Sequence, residues 1–372
     1  MYGVENYVNV YVSASSDTLN GGFFLRGSVK NDTAVFRAGY YMTEKKNSIV
    51  EIAHRANVSI ATVSRVINHA EGYSEKTKQK VLKAIRETGY SRNLSAVSLR
   101  TRKSMCIGVI VPDITNEYFA RLIRELDNFF VTQKYTLLIC DTNENKEKEQ
   151  NQLRNLISRN VDAIIYISGR DILPEIDDAD RPLIVYIDRC PQNAALLVQS
   201  DNVTGGYLAT KELLEKGCRH ILFVRNKEAV STIVGRKRGY VKALTEYGIP
   251  YSKTLELPTL PEYEAARRTL KKRLSAKALD FDGIFCSTDM IALGCVNALQ
   301  EAGYRVPGDV KVVGFDNVSL SKFCNPPITT ITQDSHTIAY TAGSLVMDKL
   351  HRKFIKNTHI SVPVALEKRK TT

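Results

Sequence analysis

The spacing of apolar residues changes character along the 372-residue chain. Between Ser48 and Gly89, apolar residues recur every three or four positions, which predicts short amphipathic helices. From Cys106 onward, short apolar runs alternate with amphipathic stretches, a pattern typical of buried parallel strands and the helices that cover them. The runs cover residues 107–111, 135–139, 163–167, 183–187, 220–224, 283–286 and 310–315.

Serine residues stand where three of the predicted helices begin. Ser48, followed by Glu51, has the spacing of a capping box, and Ser59 and Ser74 occupy the same position before later helices. Asn57 and Gly89 stand where left-handed residues commonly end a helix. Three short helices with a tight turn between the first two predict a helix-turn-helix, and a small helical bundle without DNA contact is the alternative.

The charge of the chain is concentrated in one segment. The whole sequence has 52 Lys and Arg against 40 Asp and Glu, a net charge of +12. Residues 43–103 contain 13 basic and five acidic residues, so about a sixth of the length carries a net charge of +8. Such asymmetry is typical of a module that binds a polyanion, and by itself it is equally typical of a solvated basic surface. Together with the helix-turn-helix pattern it favours DNA binding.

Composition and pattern together divide the chain into four segments. Residues 1–42 have few charges and no clear period, and Met42 raises the hypothesis that 1–41 is a non-native upstream extension rather than a genuine arm. Residues 43–90 are the predicted helix-turn-helix domain, and 91–103 are a basic hinge with latent helical content. Residues 104–372 are predicted to form an α/β core of two lobes, each a doubly wound parallel sheet.

Several classes of protein are disfavoured by the sequence. No apolar run is long enough for a membrane span, and the N-terminus lacks the pattern of a secretory signal. Seven widely separated cysteines indicate reduced thiols in a cytoplasmic protein. The phosphate-loop, dinucleotide, nucleophile-elbow and HExxH motifs are absent, and the six histidines lack metal-ligand spacing. We therefore expect no enzyme activity, no cofactor and no metal site.

Polar residues follow most of the predicted strands. In an open α/β sheet, ligands bind beyond the carboxyl ends of the strands, so these residues predict a site for a small polar ligand. Each one taken singly is more typical of a turn or a helix cap than of a ligand contact. They stand at 112–116, 141–143, 188–189, 201–202, 288–289, 316–317 and 332–334.

The residues from Ile49 to Asn68, IVEIAHRANVSIATVSRVIN, closely resemble the DNA-binding head of the lac/galactose repressor family. The agreement continues through 74–77, 89–90, 201–209, 289–294, 313–316 and 327–333, so the resemblance covers 48–372 and leaves 1–42 outside. It implies a homodimeric regulator of transcription that binds double-stranded operator DNA. It also implies an effector-binding core similar to periplasmic sugar-binding proteins.

Carried over position by position, the resemblance implies roles on the DNA. Ile60, Ala61 and Arg65 are the expected readers of the major groove, and Leu99 is the expected hinge wedge in the minor groove. Arg92 and Val97 depart from the usual Pro and Arg of the hinge. The expected backbone anchors are Ser59, Thr62, Ser64, Asn68 and Thr77.

The resemblance also implies an effector site in the core. Two positions depart from the family pattern, since Thr288 stands where Asn is common and Leu257 stands where a stacking aromatic is common. The positions implied for the site, with Thr288 as the departing one, are Asn116, Tyr118, Phe119, Asp188, Arg189, Arg236, Thr288, Asp316 and Gln333.

The sequence thus predicts a cytoplasmic, non-enzymatic repressor whose operator affinity is controlled by a small sugar or sugar phosphate. Two alternatives stay open within the family, a regulator that responds to a purine or other corepressor and an activator. A third alternative, from a different class, is a sugar-binding receptor or a sugar-processing enzyme with an incidental basic head.

Overall fold

The structure is a computed structural model that describes residues 25–26, 35–36, 48–68, 70–90, 103–168 and 182–372. The chain divides into two compact units, Met1–Asn93 and Leu94–Thr372. The predicted hinge at 91–103, with Leu99, therefore lies almost entirely outside the described residues. No helix in the described ranges is long and apolar enough to cross a membrane.

The first unit holds a cluster of three helices around a small apolar core. Each helix contributes a fully buried side chain to this core, and the three are Ile52, Val63 and Val81. Two short strands upstream pair antiparallel. The elements are β1 (Leu25–Arg26), β2 (Val35–Phe36), α1 (Ile49–Ala56), α2 (Ile60–Ile67) and α3 (Glu75–Thr88).

The second unit consists of two lobes, and lobe 1 is a parallel sheet covered by helices on both faces. Its strands are β3 (Cys106–Val111), β4 (Thr136–Asp141), β5 (Ala163–Ser168), β6 (Leu183–Arg189), β7 (Leu197–Ser200) and β13 (His359–Val362). Its helices are α4 (Glu117–Thr132), α5 (Lys146–Ser158) and α11 (Ser335–Leu350). The strand order is β13-β7-β6-β5-β3-β4. Leu126 of α4 and Val346 of α11 are buried on one face, and Leu153 of α5 is buried on the other.

Lobe 2 has the same architecture. Its strands are β8 (Ile221–Asn226), β9 (Glu256–Thr259), β10 (Gly283–Cys286), β11 (Lys311–Asp316), β12 (Thr329–Gln333) and β14 (Val364–Glu367). Its helices are α6 (Asn202–Glu215), α7 (Ser231–Glu246), α8 (Tyr263–Ala276), α9 (Asp289–Glu301) and the short α10 (Ser319–Phe323). The order is β14-β12-β11-β10-β8-β9, and only the β12–β14 pairing of the described core strands is antiparallel. Helices α8 and α9 cover one face, and α6 and α7 cover the other.

The chain passes between the lobes three times. It leaves lobe 1 between β7 and α6, at Ser200 and Asp201, and returns between β12 and α11, at Gln333 and Asp334. The third passage joins β13 to β14. Because the carboxyl ends of both parallel sheets meet these passages, the polar strand ends of the two lobes come together at one cleft.

Helices α6 and α7 lie unusually close together, because glycine stands at their contact. A Cβ atom on Gly206 would overlap the carbonyl of Arg236, and a Cβ on Gly239 would overlap the carbonyl of Val203. Neither helix has room for a larger residue at these points. The close contact places Arg236 of α7 beside Asn202 at the start of α6, with the Arg236 Nε 2.9 Å from Asn202 Oδ1.

We therefore expect Gly239→Ala to destabilise the core by about 1–3 kcal/mol, because the added methyl forces α6 and α7 apart. Arg238→Ala places the same side chain at the neighbouring exposed position of α7, and we expect it to change stability by less than about 0.5 kcal/mol. Urea unfolding of both variants measures the difference. Equal stability of the two variants would contradict the tight α6–α7 contact.

Candidate functional site

A capping serine stands at the start of each of the three helices in the first unit. The Oγ atoms of Ser48, Ser59 and Ser74 accept hydrogen bonds from the backbone N–H of the residue three positions on, at 3.2, 3.1 and 3.2 Å. Asn57 and Gly89 end α1 and α3 in the left-handed conformation. The predicted start and stop signals of these helices are thus confirmed.

Helix α2 presents the residues that the resemblance assigns to base reading. Val63 and Val66 are buried against α1 and α3, whereas Ile60, Ala61 and Arg65 are exposed on the other side of the helix. The Ile60 side chain is an exposed apolar group, 48% accessible. Exposed apolar and guanidinium groups side by side on one helix match the chemistry of a major-groove surface.

The expected backbone anchors lie at the ends of α2 and α3. The hydroxyls of Ser59 and Thr62 are 2.9 Å apart, and the Asn68 amide donates to the Ser64 carbonyl at 2.8 Å. Thr77 lies in the first turn of α3 with its hydroxyl 3.0 Å from Ser74 Oγ. These polar groups therefore support helix ends in the structure, and their role on DNA remains a proposal.

In the second unit, a cleft of about 340 Å³ lies between the lobes. It is lined by eight of the nine residues implied for the effector site, all but Gln333. Asp113 and Asn143, from the polar strand ends predicted at 112–116 and 141–143, also line it. The lining residues that sequence reasoning missed are Glu144, Asn226, Lys227, Glu228, Thr232, Ile233, Leu260, Pro261 and Glu262.

A hydrogen-bonded chain crosses the back of the cleft from lobe 1 to lobe 2. The Tyr118 hydroxyl donates to Asp188 Oδ2 at 2.5 Å, and the Ser200 backbone N–H donates to Asp188 Oδ1 at 2.7 Å. The Ser200 hydroxyl donates to Gln333 Oε1 at 2.6 Å, and Gln333 Nε2 donates to Asp316 Oδ1 at 2.6 Å. Gln333 therefore orients Asp316 from behind and does not line the cleft itself.

Arg236 is held from several sides. Its Nε donates to Asn202 Oδ1, its Nη1 donates to the Ser287 carbonyl, and its guanidinium lies over the Phe315 ring, 3.5 Å from the centroid. Its Nη2 is 3.7 Å from Asp316 Oδ1. Burial lowers the pKa of Arg236, and the neighbouring carboxylates oppose that effect.

Arg189 forms a bidentate pair within the cleft. Its Nη1 and Nη2 each donate to one carboxylate oxygen of Glu144 at 2.9 Å, the geometry in which a guanidinium binds a carboxylate most strongly. Glu144 stands in the loop after β4 in a left-handed conformation with φ of 53°. The pair closes one end of the cleft.

The two aspartates at the strand ends are strained and buried. Asp188 and Asp316 have φ values of 57° and 106°, where non-glycine residues are rare, and such strain is common at functional sites. Burial raises the pKa of Asp316 to about 7, with Arg236 opposing the rise and Asp188 adding to it. Burial, with Asp188 next, also raises the pKa of Tyr118 well above its ordinary value.

Further contacts join the two lobes beside the cleft. The Glu117 carboxylate of α4 accepts from the Ser319 backbone N–H and hydroxyl, both at 2.7 Å. Arg121 Nη2 donates to the Asp316 carbonyl at 3.0 Å, and the Ser231 hydroxyl donates to the Asp188 carbonyl at 3.2 Å. The lobes are thus bridged on both sides of the ligand space.

Two cleft residues also cap helices. Asn116 Oδ1 accepts from the Tyr118 N–H at the start of α4, and Thr288 Oγ1 accepts from the Ile291 N–H at the start of α9. Thr288 thus supplies a hydroxyl cap where the family commonly has Asn. Leu257 packs in the lobe 2 core rather than in the cleft, where Leu260 and Pro261 supply the apolar lining.

Over the described ranges, no group of three or more His, Cys, Asp or Glu side chains is placed to hold a metal ion. The side chains that line the cleft offer carboxyl, guanidinium and hydroxyl groups to a small molecule. A helix-turn-helix unit together with a two-lobed core that encloses such a cleft defines a DNA-binding transcriptional regulator with an effector-binding domain.

Comparison with known proteins agrees with this class. Residues 48–93 match the bacterial regulatory proteins of the lacI family, and residues 210–372 match the periplasmic binding protein-like domain. The chain is 33% identical over 333 residues to the HTH-type transcriptional regulator RegA of Clostridium saccharobutylicum, with 87% of this chain and 99% of RegA covered. The chain belongs to the lacI family of bacterial regulatory proteins, and it is a transcriptional regulator rather than an enzyme.

Two further relatives show the range of the family. The HTH-type transcriptional repressor PurR of Pasteurella multocida is 33% identical over 310 residues, with 82% of this chain and 92% of PurR covered. A solved structure of the transcriptional regulator CelR–cellobiose complex has a TM-score of 0.66 at 25% identity, with 87% of this chain and 99% of CelR covered.

The raised pKa of Asp316 predicts a pH dependence of stability. An unfolded Asp titrates near pH 4, so its stabilising contribution is fully present below about pH 4 and is lost as the pH rises through 7. Between pH 5 and 8 this titration lowers the free energy of unfolding by on the order of 2 kcal/mol. We expect Asp316→Asn to abolish that decrease. Urea unfolding at both pH values measures it, and parallel pH profiles of variant and wild type would contradict the assignment.

Proposed function

We propose that the protein is a homodimeric repressor that binds operator DNA through α2 and is controlled by a small sugar or sugar phosphate in the interlobe cleft. The observation that carries the proposal is the juxtaposition of Asp188, Asp316, Arg189 and Arg236 at the facing strand ends and helices of the two lobes. Sugar hydroxyls both donate and accept hydrogen bonds, so neighbouring carboxylates and guanidiniums satisfy them together.

The DNA side of the proposal rests on the shape and charge of the first unit. Helix-turn-helix proteins place the second helix of the motif in the major groove, and dimers bind two half-sites. The exposed Ile60, Ala61 and Arg65 on α2 are the proposed base readers, and Leu99 in the hinge is the proposed minor-groove wedge. The basic residues of 43–103 supply the attraction to phosphates that any such complex needs.

The core exposes apolar side chains suited to dimerisation. Phe323 and Leu320 of α10 are 81% and 49% accessible, and exposed apolar patches of this kind mark protein interfaces. Helix α10 follows Asp316 within a few residues, so a change at the cleft reaches this surface over a short stretch of backbone. A ligand that binds one lobe arrangement more tightly shifts the population toward it, and operator affinity changes accordingly.

A sugar is supported over a purine by the neighbouring carboxyl and guanidinium groups of the cleft and by the cellobiose named in the CelR complex. A thermal-shift screen of sugars, sugar phosphates and purines tests this, because a ligand at 100 times its Kd stabilises the folded state by about 2.7 kcal/mol. Operator binding with and without the stabilising ligand then distinguishes an inducer from a corepressor. Stabilisation by purines alone would overturn the sugar assignment.

The exposed guanidinium of Arg65 is expected to read a base. If Arg65 binds guanine O6 and N7, Arg65→Ala costs about 1–3 kcal/mol at one base pair of each half-site and relaxes specificity there. Arg86→Ala removes an exposed arginine from α3 and is the matched control, with its base preferences unchanged. An operator library measures both variants, and uniform weakening by Arg65→Ala across all sequences would refute base reading.

The Arg236 fork is expected to be needed for the effector response. Arg236→Lys keeps the charge but loses the planar arrangement of donors, so we expect the sugar concentration needed for the response to rise about tenfold or more. Operator binding without sugar is measured alongside and should be retained. Arg238→Lys, the same exchange at an exposed position of α7, serves as control, and a normal response of Arg236→Lys would show that the site is misplaced.

A further inference from the structure

The charges that line the cleft do not balance. Within the described part of the chain, three cations line it, Arg189, Arg236 and the exposed Lys227. Carboxyl groups outnumber them by two to one. They belong to Asp113, Glu144, Asp188, Glu228, Glu262 and Asp316.

Neither guanidinium presents an uncompensated positive charge to an anion, because a carboxyl group lies beside each one. Glu144 occupies both Nη atoms of Arg189, and the Arg189 side chain is only 11% exposed in this pair. The loop that carries Glu144 is fixed, because the Glu144 N–H donates to the Pro112 carbonyl at 2.8 Å. Arg189 and Glu144 together therefore present a neutral ion pair to the ligand space.

Arg236 is committed in a different way. Its Nε and Nη1 bind Asn202 and Ser287, and its Nη2 lies beside the Asp316 carboxyl group. A phosphate or carboxylate that approached Nη2 would therefore also approach Asp316. A phosphate monoester carries a charge of about −1.5 to −2 at pH 7 and, when fully ionised, offers no donor to the ionised form of Asp316. A hydroxyl donates to an ionised carboxylate and accepts from the guanidinium.

We propose that the effector is an uncharged sugar rather than a sugar phosphate, and that Glu144 is the specificity-determining residue that excludes phosphorylated ligands by occupying Arg189. This inference rests on the proposed sugar response. It narrows the effector to sugars without a phosphate or carboxylate group. The sequence alone does not distinguish a sugar from a sugar phosphate, because it does not show that Glu144 pairs with Arg189. Without that pair, Arg189 would be a residue suited to binding an anion.

The test compares the full-length wild type with Glu144→Gln and Glu147→Gln by calorimetric titration. The probes are common pentoses, hexoses and disaccharides, the corresponding sugar phosphates, and inorganic phosphate. Glu144→Gln keeps the size of the side chain and releases the Arg189 fork. Glu147→Gln removes the same charge from an exposed position in the first turn of α5 and is the matched control.

We expect the wild type to bind an uncharged sugar and to bind its phosphate at least about tenfold more weakly. Glu144→Gln should gain about tenfold or more in affinity for phosphorylated probes, since a hydrogen bond to a charged group is worth that much, and Glu147→Gln should behave as the wild type does. Melting curves and operator binding of each variant establish that it is folded.

The possible failures are distinguishable. Tighter wild-type binding of a sugar phosphate than of the sugar would overturn this inference and leave the proposed sugar response intact. An equal gain by both variants would assign selectivity to overall charge and would remove Glu144 from the role. No binding of any sugar or sugar phosphate would refute the proposed function, and this inference with it.

Discussion

The core is organised around one buried charge, the guanidinium of Arg236. A cation in a protein interior is costly unless its donors are satisfied, and here an amide oxygen, a carbonyl, an aromatic face and a carboxyl group surround it. These groups come from α6, β11 and the loop after β10. Arg236 of α7 reaches its partner Asn202 of α6 only because the backbones of the two helices are nearly in contact. This close approach explains why glycine stands at 206 and 239. The helix packing of lobe 2 and the chemistry of the cleft thus have a common origin.

Much of the fold follows from local pattern. The seven apolar runs are strands in the structure, and the serine caps and left-handed exits of the first unit are where the sequence predicts them. The short strands β7, β9, β12, β13 and β14 were not among the predicted runs, because four or five residues with mixed polarity give no recognisable period. The start of helix α7 at Ser231 has no local signal in the sequence, because Val230 provides no side-chain cap.

The site was less accessible to sequence reasoning. Residues that end strands or begin helices, such as Asp188 and Asn116, carried a signal in their position. Gln333 also ends a strand, but its side chain lies behind Asp316 rather than in the cleft. Successive side chains of a strand point in opposite directions, so the position of a residue at a strand end does not show which way its side chain points. Glu144 and Glu262 stand in loops with no periodic pattern, and only the folded chain shows that they reach the ligand space. The Arg189–Glu144 pair joins residues 45 positions apart, a relation that no local pattern contains.

Ser200 lies at the first passage of the chain between the lobes and Gln333 at the second, and their side chains are hydrogen-bonded to each other. Ser200 also donates to Asp188 and Gln333 also donates to Asp316, the two buried aspartates of the cleft. The residues that join the lobes at these passages therefore also hold these two aspartates, which line the ligand space. The ligand preference of such a protein and the angle between its lobes without ligand cannot change independently of each other. A lineage that acquires a new effector by changing these residues also inherits a new level of activity in the absence of any effector.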